Sequence, residues 1–565
     1  MKVLIEGQNY DLDLLKRLFN SDRDQFYTIN QNEGKISTVG YYHNFDSNEI
    51  IYMLPKVFMR DEEITVFGFK KEHLVEDSFS PNIKKGDEYN WVRHLSIIFY
   101  KSLSEYKKRI KVQNIIKEQE VPNLRSNLGN KEFSYLDLLL SFVNYYKKNK
   151  LQITFINKEN KNRRPNKVNW EKTVMNSRPI LTKNKAPIYQ TVYSKSKEIN
   201  NEEDLFRVYF SILNFFDKEH ALNINIPPSI EYVPHRKFKK KKNTLYKLLK
   251  KIRSNYFSDS LKRMVRLCEL YFSIEENASV KNRTTEFIIV DNYNLVFEDM
   301  IDKLVATGED ELLNEYQNSI IPEMKVNRDG KIIDHIYDYQ SLIDTSNIFY
   351  IGDSKYYKPE NKASTISKYK QITYAKNIIQ YNIDLFNTEG SALFNTRYRD
   401  KITEGYNITP NFFIYGFISD YRNYTDPQIS ERGEPTNAFH FKYRLFDRDT
   451  LFILKYRINF LFVINAYVEM NNQRLRIFRR NIKVKFRKNF IDYFNGQSGG
   501  FEYSFYRKKF ESSESEDLDS FINQNFKVLN GKCILTKDNF LIIAKHCEDN
   551  SLDGILGSFQ KFELS

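Results

Sequence analysis

Residues 347–357 read Asn-Ile-Phe-Tyr-Ile-Gly-Asp-Ser-Lys-Tyr-Tyr, and this run decides the fold. It begins as a continuous apolar, β-prone stretch, the pattern of a buried strand, and then sets Asp353 and Lys355 two positions apart. Successive side chains of a strand alternate faces, so this carboxylate and ammonium emerge side by side from a buried sheet. Burying such a pair without a purpose is costly. Upstream, Lys331-Ile-Ile-Asp-His-Ile-Tyr337 is a second short strand pattern with Asp334 inside it, and the polar stretch from Asp338 to Asn347 returns the chain as a hairpin or longer loop. Two adjacent strands then bring the carboxylates of Asp334 and Asp353 together near Lys355. Like charges at close range demand a cation, and hard carboxylate oxygens favour Mg²⁺.

Working outward, Leu295 to Leu304 has apolar residues at helical spacing and carries Glu298. Ser367 to Tyr374 reads as a helix with Lys368, Gln371 and Tyr374 three apart on one face, and Phe412 to Ile418 is another apolar strand. By itself an Asp-x-Lys tripeptide is common in a chain of this charge content; the strand context, the upstream acid and the flanking helices make it a set. That set resembles the PD-(D/E)xK nuclease motif, with Asp334 as the first acid and Asp353-Ser354-Lys355 as the second half. Ile333 stands where the family often has proline, and Asp338 and Asp344 are the alternatives to Asp334. Glu298 falls where many such nucleases carry a helix-borne acid. Gln371 and Tyr374 resemble the helical Gln/Tyr motif of RecB-like nucleases, one residue closer than usual.

The likeness extends past this core. Val39-Gly40-Tyr41-Tyr42, Leu54-Pro55-Lys56-Val57-Phe58, Val168-Asn-Trp-Glu-Lys-Thr173 and Leu445-Phe446-Asp447-Arg448-Asp449-Thr450 are similar to segments of LlaJI-family restriction endonucleases, relatives of the McrC subunit of McrBC systems. The resemblance implies a Mg²⁺-dependent endonuclease subunit of a restriction-modification (phage-defence) system, cleaving double-stranded DNA with an McrB-like AAA+ GTPase. It implies that Asp334 and Asp353 hold the metal, that Glu298 binds a second ion or orders a water, and that Lys355 stabilises charge on the phosphate or orients that water. Gln371 would position the backbone or Lys355. The chain contains neither a Gly-x4-Gly-Lys-Ser/Thr nor a Gly-x-Gly-x-x-Gly sequence, so nucleotide hydrolysis would come from the partner. A non-catalytic DNA-binding or GTPase-activating subunit is the alternative, and the core alone leaves DNA versus RNA open. The stretch from Val39 to Phe58 is expected to dock the partner or to read DNA, so that a chain lacking residues 1–120 would keep a folded, Mg²⁺-binding nuclease core.

Composition agrees with a globular protein and excludes several classes. Of 565 residues, 87 are Lys or Arg and 73 Asp or Glu, a formal charge of +14 that points weakly to nucleic acid. Hydrophobic residues reach 41%, enough to bury real cores. Cys268, Cys533 and Cys547 form no disulfide framework or zinc spacing, so a reducing, cytoplasmic location is expected. Neither a Gly-x-Ser-x-Gly elbow nor a persuasive Ser/His/Asp set is present among eight histidines. The longest apolar run, Leu451 to Val468, is interrupted by Lys455, Arg457, Asn459 and Asn465, which argues for a buried strand pair or helix and against a membrane span.

The fold class expected is α/β and multidomain: a PD-(D/E)xK core of mixed sheet flanked by helices, and a mixed α/β N-terminal module. The segments are an N-terminal docking or recognition module at 1–130, a middle helical region with a basic linker at 131–243, the nuclease core at 244–425, and a C-terminal extension at 426–565. Within them, helices are expected from Trp91 to Lys107 and from Phe133 to Lys147, and a polar loop around Arg163-Arg164-Pro165. The run from His235 to Lys242 reads as an exposed basic connection before a helix from Thr244. Arg474 to Lys488 alternates basic and apolar residues from Ile482 to Phe486, which predicts a strand with one basic face. Glu511 to Ser520 reads as a flexible acidic loop.

Overall fold

In the computed structural model of the chain, the described residues are 2–19, 25–30, 32–45, 49–76, 87–112, 124–126, 134–149, 155–161, 168–199, 204–220, 224–228, 230–256, 258–280, 285–306, 333–356, 365–386, 399–438, 441, 443–496, 503–510 and 515–565. The loop expected around Arg163-Arg164-Pro165 and residues 511–514 of the acidic stretch lie outside them, and the rest of that stretch is not a loop but the start of the helix Ser515–Leu529. The architecture is mixed α/β, with helices and several sheets. By internal contact the chain divides into two units, one made of 42–50 and 126–287, the other of 2–41, 51–125 and 288–565.

The first unit is largely helical: Tyr135–Lys148, Asp204–His220, His235–Ile252 and Asp259–Val280. Its core is aromatic. Phe142 stacks on Tyr209 with ring centroids 5.0 Å apart, Phe215 stacks on Phe238 at 4.8 Å, and the Tyr209 hydroxyl donates to the Phe142 carbonyl at 2.8 Å. The basic run from His235 to Lys242 is not a linker here, because it forms the first half of the helix His235–Ile252. Pro234 precedes the helix, and Phe238, Leu245, Leu249 and Ile252 form a buried stripe at helical spacing. Burial of that stripe outweighs repulsion among lysines that remain in water.

The second unit carries the sheet that the 347–357 run predicts. Strand β1 (Lys2–Ile5) pairs in parallel with β2 (Glu49–Leu54). Helix α1 (Asp87–Val112) contains the helix expected from Trp91, and α2 (Tyr293–Val305) contains the stretch with Glu298. Next come β3 (His335–Gln340), β4 (Asn347–Lys355), α3 (Thr365–Phe386), β5 (Pro410–Phe417) and β6 (Leu451–Asn459). The order in the sheet is β3-β4-β5-β6, antiparallel at the first step and parallel at the next two. The long apolar run from Leu451 resolves as β6 followed by α4 (Phe460–Glu469), the turn between them capped by the Asn459 side chain. Among the described residues no helix is long and apolar enough to cross a membrane.

The stretch from Arg474 to Lys488 is not a strand but part of α5 (Asn472–Phe494). Leu475, Ile482, Phe486 and Phe490 are buried at spacings of seven, four and four, which is a helical stripe; the short alternation inside it was incidental. Phe486 of α5 lies flat on Tyr456 of β6, ring centroids 4.0 Å apart, and meets Phe412 of β5 at 5.0 Å. Helix α2 is braced by Arg109 of α1, whose Nε and Nη2 reach the two oxygens of Asp299 at 3.1 and 3.2 Å, and by the Tyr467 hydroxyl on the same carboxylate at 2.5 Å. This bracing fixes the helix that presents Glu298.

Candidate active site

The hairpin register decides what meets what. His335 stands opposite Gly352, so the preceding residue, Asp334, falls opposite Asp353. By alternation Asp353 and Lys355 share one face of β4, and His335 and Ser354 share the other. There His335 Nε2 lies 2.5 Å from Ser354 Oγ, with His335 Nδ1 3.4 Å from Asp302 Oδ1 of α2, which ties the start of β3 to both neighbours. The Ser354 backbone N–H donates to Asp334 Oδ2 at 3.2 Å. On the Asp353 face, the Lys355 ammonium donates to Asp353 Oδ2 and sits 5.0 Å above the Phe413 ring of β5. Asp353 and Lys355 are 6% and 8% exposed, so the pair is desolvated as the sequence suggested.

These groups line one pocket of about 440 Å³. Asp334, Asp353 and Lys355 come from the hairpin, Glu298 from α2, and Ser367, Lys370 and Tyr374 from α3. Its electrostatics are those of crowded carboxylates. Burial pushes the Glu298 carboxyl up to about 7, and the charge of Asp353 adds to it; Asn294, one turn earlier, hydrogen-bonds the carboxylate and opposes the rise, as do Lys355 and Lys370. Asp334 is driven well above the usual carboxylate range, first by burial and then by the charges of Asp353 and Glu298, and its carboxyl is close enough to bond that of Asp353.

Does this donor set fit the divalent cation expected of it? Among the described residues no three His, Cys, Asp or Glu side chains stand ready to hold a metal by themselves. Mg²⁺, however, is commonly held by one or two carboxylates, with water and substrate phosphate completing the octahedron. Two facing carboxylates, one of them pushed toward its protonated form first by burial and then by the other's charge, offer that pair of hard oxygens. The set fits, with Asp334 and Asp353 as the inner pair and Glu298 beside them.

The structure thus brings Asp334, Asp353, Lys355 and Glu298 together. The alternatives to Asp334 are elsewhere: Asp338 accepts from Asn347 Nδ2 at 3.2 Å within the β3/β4 ladder, and Asp344 bonds the Ser346 backbone N–H at 2.9 Å in the turn. Gln371 does not reach the pocket wall. It is fully buried, and its amide has no hydrogen-bond partner among the described residues, while Ser367, Lys370 and Tyr374 of the same helix line the pocket. Lys368, grouped with Gln371 and Tyr374 in the sequence, is not on the wall either. Among the lining residues that sequence reasoning missed, Glu6 and Lys56 come from far away in the chain and Tyr356 from next to Lys355. Only adjacency to Lys355 could have suggested Tyr356.

No protein-family model matches the chain. No curated protein matches it. Among solved structures it is similar to a chain of the refined half-complex from the tetradecameric assembly of Thermococcus gammatolerans McrB AAA+ hexamers with bound McrC. The identity is 12% and the TM-score 0.27, over 86% of this chain and 99% of that one. A likeness of that size carries no argument about fold or activity.

Proposed function

We propose that the protein is a Mg²⁺-dependent DNA endonuclease, the cutting subunit of a restriction (phage-defence) system that works with an McrB-like AAA+ GTPase. The observation that carries the nuclease reading is the convergence of Asp334, Asp353, Glu298 and Lys355 in one pocket at the end of a buried strand. Asp334 and Asp353 would hold the metal, and Glu298 a second ion or an ordered water. When bound, Mg²⁺ supplies a Lewis acid for the phosphate and an acidified water. Glu298, with its carboxyl near 7, is suited to take a proton from the attacking water at neutral pH. Lys355, held in the pocket by the Asp353 carboxylate and the Phe413 ring, would offset charge growing on the phosphate oxygens. Nothing in this scheme requires a covalent intermediate. The partner rests on the LlaJI- and McrC-like segments and on the missing phosphate-cradling loop of the sequence.

The test is cleavage of double-stranded DNA in Mg²⁺ by the full chain, alone and with an McrB-like AAA+ GTPase and GTP. Asp353→Ala and Lys355→Ala should abolish cutting while DNA binding survives, because affinity comes mainly from phosphate contacts elsewhere. Cutting retained by both variants would sink the catalytic assignment. A wild-type chain that binds DNA and speeds GTP hydrolysis by the partner without cutting would establish the non-catalytic reading instead.

A further inference from the structure

The nuclease pocket is closed on one side by the N-terminal part of the chain. Tyr356, the residue after Lys355, donates its hydroxyl to Glu6 Oε2 and accepts the backbone N–H of Lys56 at 3.0 Å; the same N–H lies 3.2 Å from Glu6 Oε2. This three-membered buckle fixes the backbone of Lys56 at the end of β4, just past the point where β1 and β2 finish their parallel pairing. Pro55 precedes Lys56 in extended conformation, and Val57 and Phe58 are buried, so the backbone on both sides is held as well.

The Lys56 side chain then enters the pocket. Its ammonium stands 4.4 Å over the Tyr356 ring, and among the described residues it has no carboxylate partner. That is unusual company for a free cation, because the pocket holds the carboxyls of Glu6, Asp291, Glu298, Asp334 and Asp353. Lys355 is already committed to Asp353, and the Glu6 carboxylate is taken up by the buckle. Lys370 is exposed on α3. Lys56 is therefore the half-buried, rigidly mounted cation available to an incoming anion. A phosphodiester approaching this many carboxylates needs one, and a compact ammonium is a suitable point charge for a phosphate oxygen.

We propose that Lys56 is a positioning residue that receives a non-bridging oxygen of the substrate's phosphodiester in this pocket, with Glu6 and Tyr356 fixing where it stands. The assignment rests on the nuclease reading above and gives the N-terminal part of the chain a share in the site.

The experiment measures kcat and KM for duplex DNA cleavage by the full chain in Mn²⁺, for wild type, Lys56→Gln, Lys56→Arg, Tyr356→Phe and the Lys56→Gln/Tyr356→Phe double variant. Lys56→Gln should raise KM about tenfold with kcat within about threefold, and Lys56→Arg should recover most of the loss. Tyr356→Phe should show a smaller rise in KM, and the double variant should be no worse than Lys56→Gln alone, because Tyr356 acts through Lys56. A Lys56→Gln chain with wild-type KM overturns the proposal. So does a loss that Arg does not recover, or a double variant whose losses multiply. If wild type cuts nothing, either alone or with an McrB-like AAA+ GTPase and GTP, the nuclease reading has failed, and the same variants are compared for duplex oligonucleotide binding in Ca²⁺ across salt concentrations. A salt slope reduced by about one unit in Lys56→Gln keeps the phosphate contact. An unchanged slope, or no binding by wild type, removes it.

Discussion

Gly352 of β4 and Phe412 of β5 stand opposite one another in the parallel ladder, and the Phe412 ring fills the space in which a side chain at 352 would begin. A Cβ there would come within 2.0 and 2.2 Å of two ring carbons. The ring has little room to retreat, since Phe486 meets it at 5.0 Å and Tyr337 at 6.0 Å. Gly352→Ala should therefore lower stability by about 1–3 kcal/mol, as overpacking does, measured by urea unfolding. Cleavage should fall with it, because Asp353 is the next residue. Phe412→Leu in the same chain should restore part of the stability; a Gly352→Ala chain as stable as wild type would show that the ring moves freely.

Asp338 gives the hairpin a pH dependence. Burial pushes its carboxyl up to about 6, against the opposing effects of the Asn347 hydrogen bond and the charge of Lys483. A carboxyl raised in the folded state binds its proton more tightly there than in the unfolded chain. Its contribution to stability is thus full below about pH 4 and is lost as pH rises through about 6. Asp338→Asn should flatten the decline in melting temperature between pH 4 and pH 7 and make the protein more stable than wild type at pH 8. An unchanged pH profile would mean that Asp338 is not protonated in the fold.

Cation binding should carry the opposite slope. Glu298 and Asp334 hold protons that a metal must displace, so stabilisation by Mg²⁺ should shrink as pH falls below about 7. The measurement is the rise in melting temperature with 10 mM-scale Mg²⁺ or Ca²⁺, on the order of several degrees at pH 8 and much smaller at pH 5.5. Asp334→Asn should remove most of the rise and Glu298→Gln should weaken its pH dependence near pH 7. Mn²⁺ should replace Mg²⁺ in cleavage, and Ca²⁺ should support DNA binding without it.

Removing residues 1–120 should not leave a working nuclease core, contrary to the expectation from sequence. Residues 2–41 and 51–125 belong to the same compact unit as 288–565, and Glu6 and Lys56 line the same pocket as Asp353. The shortened chain should lose cooperative melting and cation-dependent stabilisation. A shortened chain that keeps both would separate the N-terminal part from the site.

What could be read from the sequence follows the range of the forces involved. Asp353 and Lys355 were legible because a strand's alternation is local, and Asp334 because a hairpin is nearly so; Glu298 needed the family resemblance. The helix Asn472–Phe494 was misread because five residues of alternation fit either period, and only the longer stripe from Leu475 to Phe490 distinguishes them. The basic helix from His235 was hidden by its charge, since the deciding residues, Phe238, Leu245 and Leu249, are few among the lysines. Glu6 and Lys56 were beyond any pattern, because nothing near them in the chain points to a strand some 300 residues on.

The bond between Tyr356 and Glu6 joins positions 350 apart in the chain. Closing so long a loop costs entropy that only a largely assembled unit can offset, so the contact belongs late in the order of folding. During synthesis the first strand waits, already emerged, while the hairpin with its aspartates is still being made. A ribosome-bound or prematurely terminated chain therefore carries the lysine-bearing wall without the acidic hairpin. If the chain is the nuclease proposed above, late closure of this kind leaves unfinished copies without a complete pocket.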